Sequence, residues 1–472
     1  MKDDLYKHLK AAVIEGLSLI KGIYDSEMEA GRSWIFKKHE DYPTMSYYES
    51  GFPRFSKSNF EKINYSSFLK DDFIKSNPCF RAYAEYVLGN IQLCNHFRIG
   101  ESAPETRKSK ERVMQSWNDS YTYNHICYFC DSYIHFYSFE FDEFNFEHIF
   151  NMYVFSLASE VEIDIYIPIL LVNFESDEIH LAENLYIQKI PIDVQLSRNQ
   201  QTSYTNSAHT AVVGAANYAV VLKNWTMTSE TEDARTASLH DIEGYREALS
   251  AAEQVFTALR IVYPEIDTGY AQVLSVPTNW QSSFDADIIQ TFVASEKRYP
   301  AYFENYGWEK KSETVASSMD DSIKSCYEKL LISPNLDLAS SRLNKACLNR
   351  RHDDAIIDIA IALESILTTD STSEISYRLA TRASLLVKQQ PFLNYTASQV
   401  FALCKKIYDF RSSVVHGDKK RQLARRKIEI IAGKSIETNE IAIQFLSHIL
   451  KIVSADKALG DPKGIDNLLF SE

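Results

Sequence analysis

The stretch FRSSVVHGDKKRQLARRK, Phe410 to Lys427, sets Arg411 and His416 five positions apart, ahead of Gly417 and a basic run. Histidine, with an unperturbed pKa of about 6.5, gives or takes a proton at neutral pH. Arginine stays cationic and offers a forked set of donors suited to a phosphoryl oxyanion. The pair therefore suits proton transfer and charge stabilisation at a phosphate. The spacing is also compatible with a structural role, in which Arg411 meets an acid such as Glu364 and His416 decorates a helix end. On that view Lys419, Lys420, Arg421, Arg425, Arg426 and Lys427 form a solvated face.

These residues need a helix to hold them. In SQVFALCKKIYDFRSSVVH, at roughly 100° per residue, Leu403, Ile407, Phe410 and Val414 share one apolar stripe with Arg411 inside it. Arginine is rarely buried alone, so it must snorkel, meet a carboxylate or point into an interface. His416 leaves the stripe about 140° round from Arg411 on the same wheel, and Gly417 fits the left-handed position that ends helices. Three more amphipathic segments accompany it. DDAIIDIAIALESILTT aligns Ile356, Ile359, Leu363 and Ile366; STSEISYRLATRASLLV opens with Ser371 and Glu374 at capping-box spacing; NEIAIQFLSHILKIV follows. Four such helices imply an antiparallel bundle.

Three segments in this order, IDIAIALESIL, SEISYRLATRASLLV and IYDFRSSVVHG, resemble the Apea-like HEPN domains of the HEPN superfamily, over roughly residues 340–460. The upstream residues bear a loose resemblance to the N-terminal domains that accompany such modules. The resemblance implies a metal-independent ribonuclease of anti-phage or toxin-type systems, with a composite site facing across a dimer. Carried over, the catalytic residues are Arg411 and His416. Ser412 stands where the family often has Asn or another polar residue. RNA supplies its own nucleophile, the 2′-hydroxyl, so the expected products are 2′,3′-cyclic phosphate ends. Glu364, a lone acid in IALESIL, is a candidate to orient Arg411; its alternative is a partly exposed helix-face glutamate. Lys419, Lys420, Arg421 and Arg425 are candidates for RNA contact.

The remaining sequence sets the frame. At 472 residues two or three domains are expected, and 45% hydrophobic with 24% charged residues is ordinary for a globular chain. Net charge is −14, which argues against indiscriminate nucleic-acid binding. Ser341–Gly460 holds 19 Lys and Arg against 12 Asp and Glu, a net of +7, so the remainder carries −21. A mildly basic module thus sits on an acidic body. Seven cysteines do not form a disulfide framework, no apolar run approaches bilayer length, and the N-terminus reads as an amphipathic helix, not a signal peptide. The cytoplasm is the expected compartment, with no membrane partner.

Residues 1–130 read as mainly helical. Residues 131–335 read as a β-rich, regulatory domain followed by connecting helices, because Val161, Ile163, Ile165 and Ile167 alternate with Glu162, Asp164 and Tyr166. EIHLAENLYIQKI suggests a hairpin and YAVVLKNW a further strand. Helical period resumes with Tyr245, Leu249, Ala252, Phe256, Leu259 and Val262. SPNLDLASS is expected to be irregular, and residues 336–465 form the HEPN-like bundle. Cys94, His96, Cys127 and Cys130, with His125 and His135 nearby, are a candidate structural zinc site or simply small core residues. AGKS at Ala432–Ser435 lacks the earlier glycine of a phosphate-binding loop.

The expectation is an α+β multidomain protein: a cytoplasmic HEPN-type endoribonuclease, homodimeric or of higher even order, acting in abortive infection with a phage-derived trigger. Catalysis would need no cofactor. The alternatives are a non-catalytic HEPN dimerisation scaffold, or a toxin neutralised by a separate antitoxin.

Overall fold

The computed structural model describes residues 2–32, 44–56, 65–69, 76–96, 110–155, 160–200, 208–228, 245–278, 292–368, 374–429 and 435–469. The fold is mixed α+β. Its first part is a helical cluster of α1 (Lys2–Glu29), α2 (Pro78–Leu88), α3 (Lys110–Tyr137) and α4 (Glu143–Phe155). Leu5, Leu9, Val13 and Leu17 recur at helical spacing on α1 and pack with Phe80, Tyr83, Ile126, Phe129 and Phe146. A Cβ at Gly16 would lie 2.5 Å from Cys130 Sγ, so the glycine sets how closely α1 and α3 approach. Because Phe146 and Phe150 close this core, the helical part runs to Phe155, past the expected boundary at 130.

The first 130 residues also contain a hairpin, β1 (Thr44–Tyr47) with β2 (Pro53–Ser56). It belongs to the next layer. Ser50 N–H donates to Glu309 O (2.9 Å), Asn217 Nδ2 donates to Gly51 O (3.0 Å), and Phe52 is buried among Tyr166, Val221 and Trp308.

The middle of the chain forms a six-stranded antiparallel sheet. Beyond β3 (Glu160–Ile169) and the short β4 (Val172–Phe174) come β5 (Glu178–Ala182), β6 (Leu185–Lys189), β7 (Tyr218–Thr228), β8 (Tyr270–Pro277) and β9 (Phe292–Arg298), in the order β5-β6-β7-β3-β8-β9. The expected alternation is present: Val161, Ile163, Ile165 and Ile167 face one side with Val220, Leu222 and Val273. The opposite side, with Tyr166, Val221 and Leu274, is buried too, so β3 is covered on both faces over its second half, from Ile165 to Ile169.

That second cover includes the helix α5 (Ile192–Gln200), whose Arg198 is fully buried. All five of its N–H donors are used. Nε meets Gln195 Oε1 (2.7 Å), Nη1 meets Val213 O (2.7 Å) and Gln272 Oε1 (3.2 Å), and Nη2 meets Gly214 O (2.7 Å) and Ala216 O (3.0 Å). Burial lowers its pKa to about 9, which leaves it cationic at neutral pH.

The first side of the sheet carries α6 (Tyr245–Val262) and α7 (Asp320–Leu331), and on these follow α8 (Asp337–Leu348), α9 (Asp354–Leu367), α10 (Ile375–Gln389), α11 (Ala397–Val415), the surface helix α12 (Lys419–Arg425) and α13 (Thr438–Ala455). Sheet and helices share one hydrophobic core, which runs across the expected boundary at residues 335 and 336. The link is α6. Of its expected stripe Tyr245, Ala252, Phe256 and Leu259 are buried and Leu249 and Val262 half-buried, while Ala248, Val255, Ala258 and Ile261 beside it are buried too. Polar groups join the same layers, since Asn344 Nδ2 donates to Glu253 Oε2 (2.8 Å) and Tyr270 Oη to Glu253 Oε1 (2.8 Å). The segment expected to be irregular near residue 335 is a 3-10 turn, Pro334–Leu336, leading into α8. Among the described residues no helix is long and apolar enough to cross a membrane.

Candidate active site

Helix α11 carries the residues singled out by type and spacing. It begins with a capping box: Gln399 N–H donates to Thr396 Oγ1 (3.3 Å) and Thr396 N–H to Gln399 Oε1 (2.9 Å). The capping-box expectation at Ser371 and Glu374 falls partly outside the described residues; Glu374 itself precedes α10 with φ 55° and makes no side-chain cap. Along α11, Val400, Leu403, Cys404, Ile407 and Phe410 are buried in the shared core.

The helix stops at Gly417, whose φ of 67° is left-handed. Gly417 N–H donates to Val414 O (3.1 Å) and Asp418 N–H to Ser413 O (3.0 Å), the two bonds of a Schellman terminus. The chain then reverses directly into α12. Asp418 accepts from Arg421 N–H (3.1 Å), and Gln422 Nε2 donates back to Ser413 O (3.0 Å). His416 is therefore fixed as the C-cap of α11, just past Val415, with its side chain in solvent, and its N–H donates to the carbonyl of half-buried Ser412 (3.1 Å).

Arg411 is half-buried one turn earlier. Its guanidinium carbon lies 5.5 Å from the centre of the Tyr408 ring, and its buried Nε makes no hydrogen bond among the described residues. Glu364 reaches the same place from α9, half-buried, with an Oε1 that likewise accepts none. No ion pair joins Glu364 to Arg411 among the described residues. The two meet instead at Tyr408. Burial first, and then the Glu364 carboxylate beside its hydroxyl, push the Tyr408 phenol up, while the Arg411 charge opposes them. Tyr408 escaped the sequence reading. Its only signal there was the i, i+3 spacing to Arg411.

The basic run divides. Arg421 pairs with Asp418 (3.7 Å), Arg425 with Asp409 (3.2 Å), and Arg426 and Lys427 with Glu437 (3.6 and 3.5 Å). Lys419 and Lys420 are exposed and have no ion pair among the described residues. Val415 and Leu423, 51% and 73% exposed, flank the same corner.

The cysteine set looks different. Cys94 Sγ lies against the carbonyls of Val87 (3.4 Å) and Leu88 (3.7 Å), and Cys130 Sγ against that of Val13 (3.9 Å). Burial pushes both thiols up. Cys127 is half-buried, and the side chains of His96 and His135 lie outside the described residues. Among the described residues, no three His, Cys, Asp or Glu side chains are placed to hold a metal ion.

No family model, no curated protein and no solved structure matches the chain.

Proposed function

We propose that this protein is a metal-independent endoribonuclease of the HEPN type, with Arg411 and His416 as its catalytic residues. The observation that carries the reading is the end of α11, where a solvent-facing histidine follows by five residues a guanidinium with no carboxylate bound to it among the described residues. In the proposed reaction a neutral His416 takes the proton of the RNA 2′-hydroxyl, and the freed oxygen attacks the adjacent phosphorus. Arg411 offsets the charge gathering on the non-bridging oxygens. The bond to the 5′-oxygen breaks, and that oxygen takes a proton from an imidazolium, leaving a 2′,3′-cyclic phosphate and a 5′-hydroxyl. DNA lacks the nucleophile and is spared.

The two side chains diverge by about 140° on one helix, so the proposed site is shared between two copies about a two-fold axis, which sets the same helix end opposite itself. The acidic remainder of the chain is assigned the task of holding the nuclease quiet until a phage-derived trigger appears. A second reading is a non-catalytic dimerisation scaffold, favoured by exposed Val415 and Leu423 and by the acid-paired Arg421 and Arg425. Incubating the purified chain with total cellular RNA in excess EDTA, then mapping the ends, separates them. Cyclic phosphate ends support the nuclease, whereas intact RNA or a strict need for added magnesium refutes it.

A further inference from the structure

We propose that Tyr408 is the positioning residue for Arg411, its ring face setting the guanidinium; this rests on the ribonuclease reading above. An arginine beside a carboxylate is ordinarily captured in a two-bond pair, which occupies the donors a phosphate would need. Here Glu364 and Arg411 make no such pair. The guanidinium instead lies over Tyr408, at 5.5 Å, one turn back on the same helix. A π face attracts the cation without consuming an N–H, and it restrains the plane of the fork. The carboxylate is set one step away. It comes from α9, buries an Oε1 that accepts no bond, and lies beside the Tyr408 hydroxyl. The tyrosine face sets the arginine, and the carboxylate acts on the tyrosine by its charge. The arginine keeps its donors for substrate.

The order of this chain of contacts makes the test specific. Tyr408→Phe keeps the face and loses the hydroxyl; Tyr408→Leu loses both; Tyr408→Trp restores a face. Arg411 acts mainly in the transition state, so its misplacement should appear in kcat more than in KM. We expect Tyr408→Leu to lower kcat about tenfold with KM within about threefold, the scale of one cation–π contact. Tyr408→Phe should stay within about threefold of the parent, and Tyr408→Trp should recover part of the loss. A leucine variant with the parent's kcat overturns the inference, as does a phenylalanine variant as slow as the leucine one. Should the leucine variant fail to fold, the phenylalanine and tryptophan variants decide on the same kcat criterion. The contacts have a readout that needs no RNA. In ultraviolet titration Glu364→Gln should lower the Tyr408 phenol pKa and Arg411→Ala should raise it. Variants that show these shifts, with a parent chain that cuts no RNA, refute the ribonuclease reading and leave the contact geometry standing. A chain that cuts RNA but shows neither shift refutes the positioning role.

Discussion

Asp409 and Arg425 face each other at 3.2 Å across the reversal that follows His416, so the short helix α12 is clipped to α11 by a charge of its own chain. Arg421 is held in the same way by Asp418. Both pairs are largely exposed and contribute little to stability, but each occupies a cation that the sequence offered to RNA. Lys419 and Lys420 are the two left over. Replacing both with Gln should weaken RNA binding and reduce the slope of log affinity against log salt by about one to two, as one phosphate contact each requires. Arg421→Gln should change the slope by much less. Fluorescence anisotropy of a labelled, non-cleavable RNA across a salt series reads both, and equal effects from the two changes would contradict the division.

Arg411→Ala and His416→Ala should each reduce cleavage by about a hundredfold or more, the scale of a lost acid–base or oxyanion group. Thermal stability should stay close to the parent's. His416 is exposed at a terminus closed by backbone bonds of Ser412, Val414 and Gly417, and among the described residues Arg411 has no carboxylate partner whose charge would be stranded. Single-turnover cleavage and calorimetry of each variant check this; near-parental cutting by either one removes it from the site.

How far could the sequence have said this? The strand Val161–Ile167 was legible because Glu160, Glu162 and Asp164 leave the second face of its first half open to solvent, which gives a period of two. Gly417 was legible because few residues other than glycine tolerate a φ of 67°. The hairpin Thr44–Ser56 was not, since its partners, Glu309 and Asn217, lie far along the chain and its short strands carry no alternation of their own. Nor was the double burial of α6. A stripe reports one apolar face, and the small residues Ala248 and Ala258 give no contrast on the other. Tyr408 gains its meaning only from Glu364, which arrives from another helix.

Arg382 and Asp466 form a two-bond pair, Nε to Oδ1 and Nη2 to Oδ2, both 2.8 Å, while Arg382 Nη1 donates to Leu367 O (2.7 Å). The contact ties α10 to the C-terminal turn Pro462–Asn467 and to the end of α9. The hydrogen bond from Arg382 holds the Asp466 carboxyl below its usual range. A folded pKa lowered in this way adds stability that is fully present above the unfolded value of about 3.9 and is lost as pH falls through the lowered folded value. Asp466→Asn should therefore cost about 1 kcal/mol at pH 7, discounted for a carboxylate that is partly exposed. The two proteins should converge in stability as the pH is taken below 4. Urea unfolding at a series of pH values tests the sign, and a gap that widened on acidification would contradict the pairing.

The corner that carries His416 also carries Val415 and Leu423, 51% and 73% exposed. Large apolar side chains at a helix end are common singly, but these two flank the proposed catalytic histidine on consecutive helices. In the two-fold arrangement each would lie against its own copy, burying the seam that brings the second Arg411 within reach. Leu423→Glu with Val415→Lys should hence yield a monomer by sedimentation, and the monomer should lose cleavage by about the same factor as His416→Ala. Its fold should survive, because neither side chain belongs to the shared core. The lost activity should not return when Arg411→Ala chains are added, since the altered seam cannot join them. A monomeric variant that cuts RNA at the parent's rate would show that one chain suffices, and the shared site would have to be abandoned.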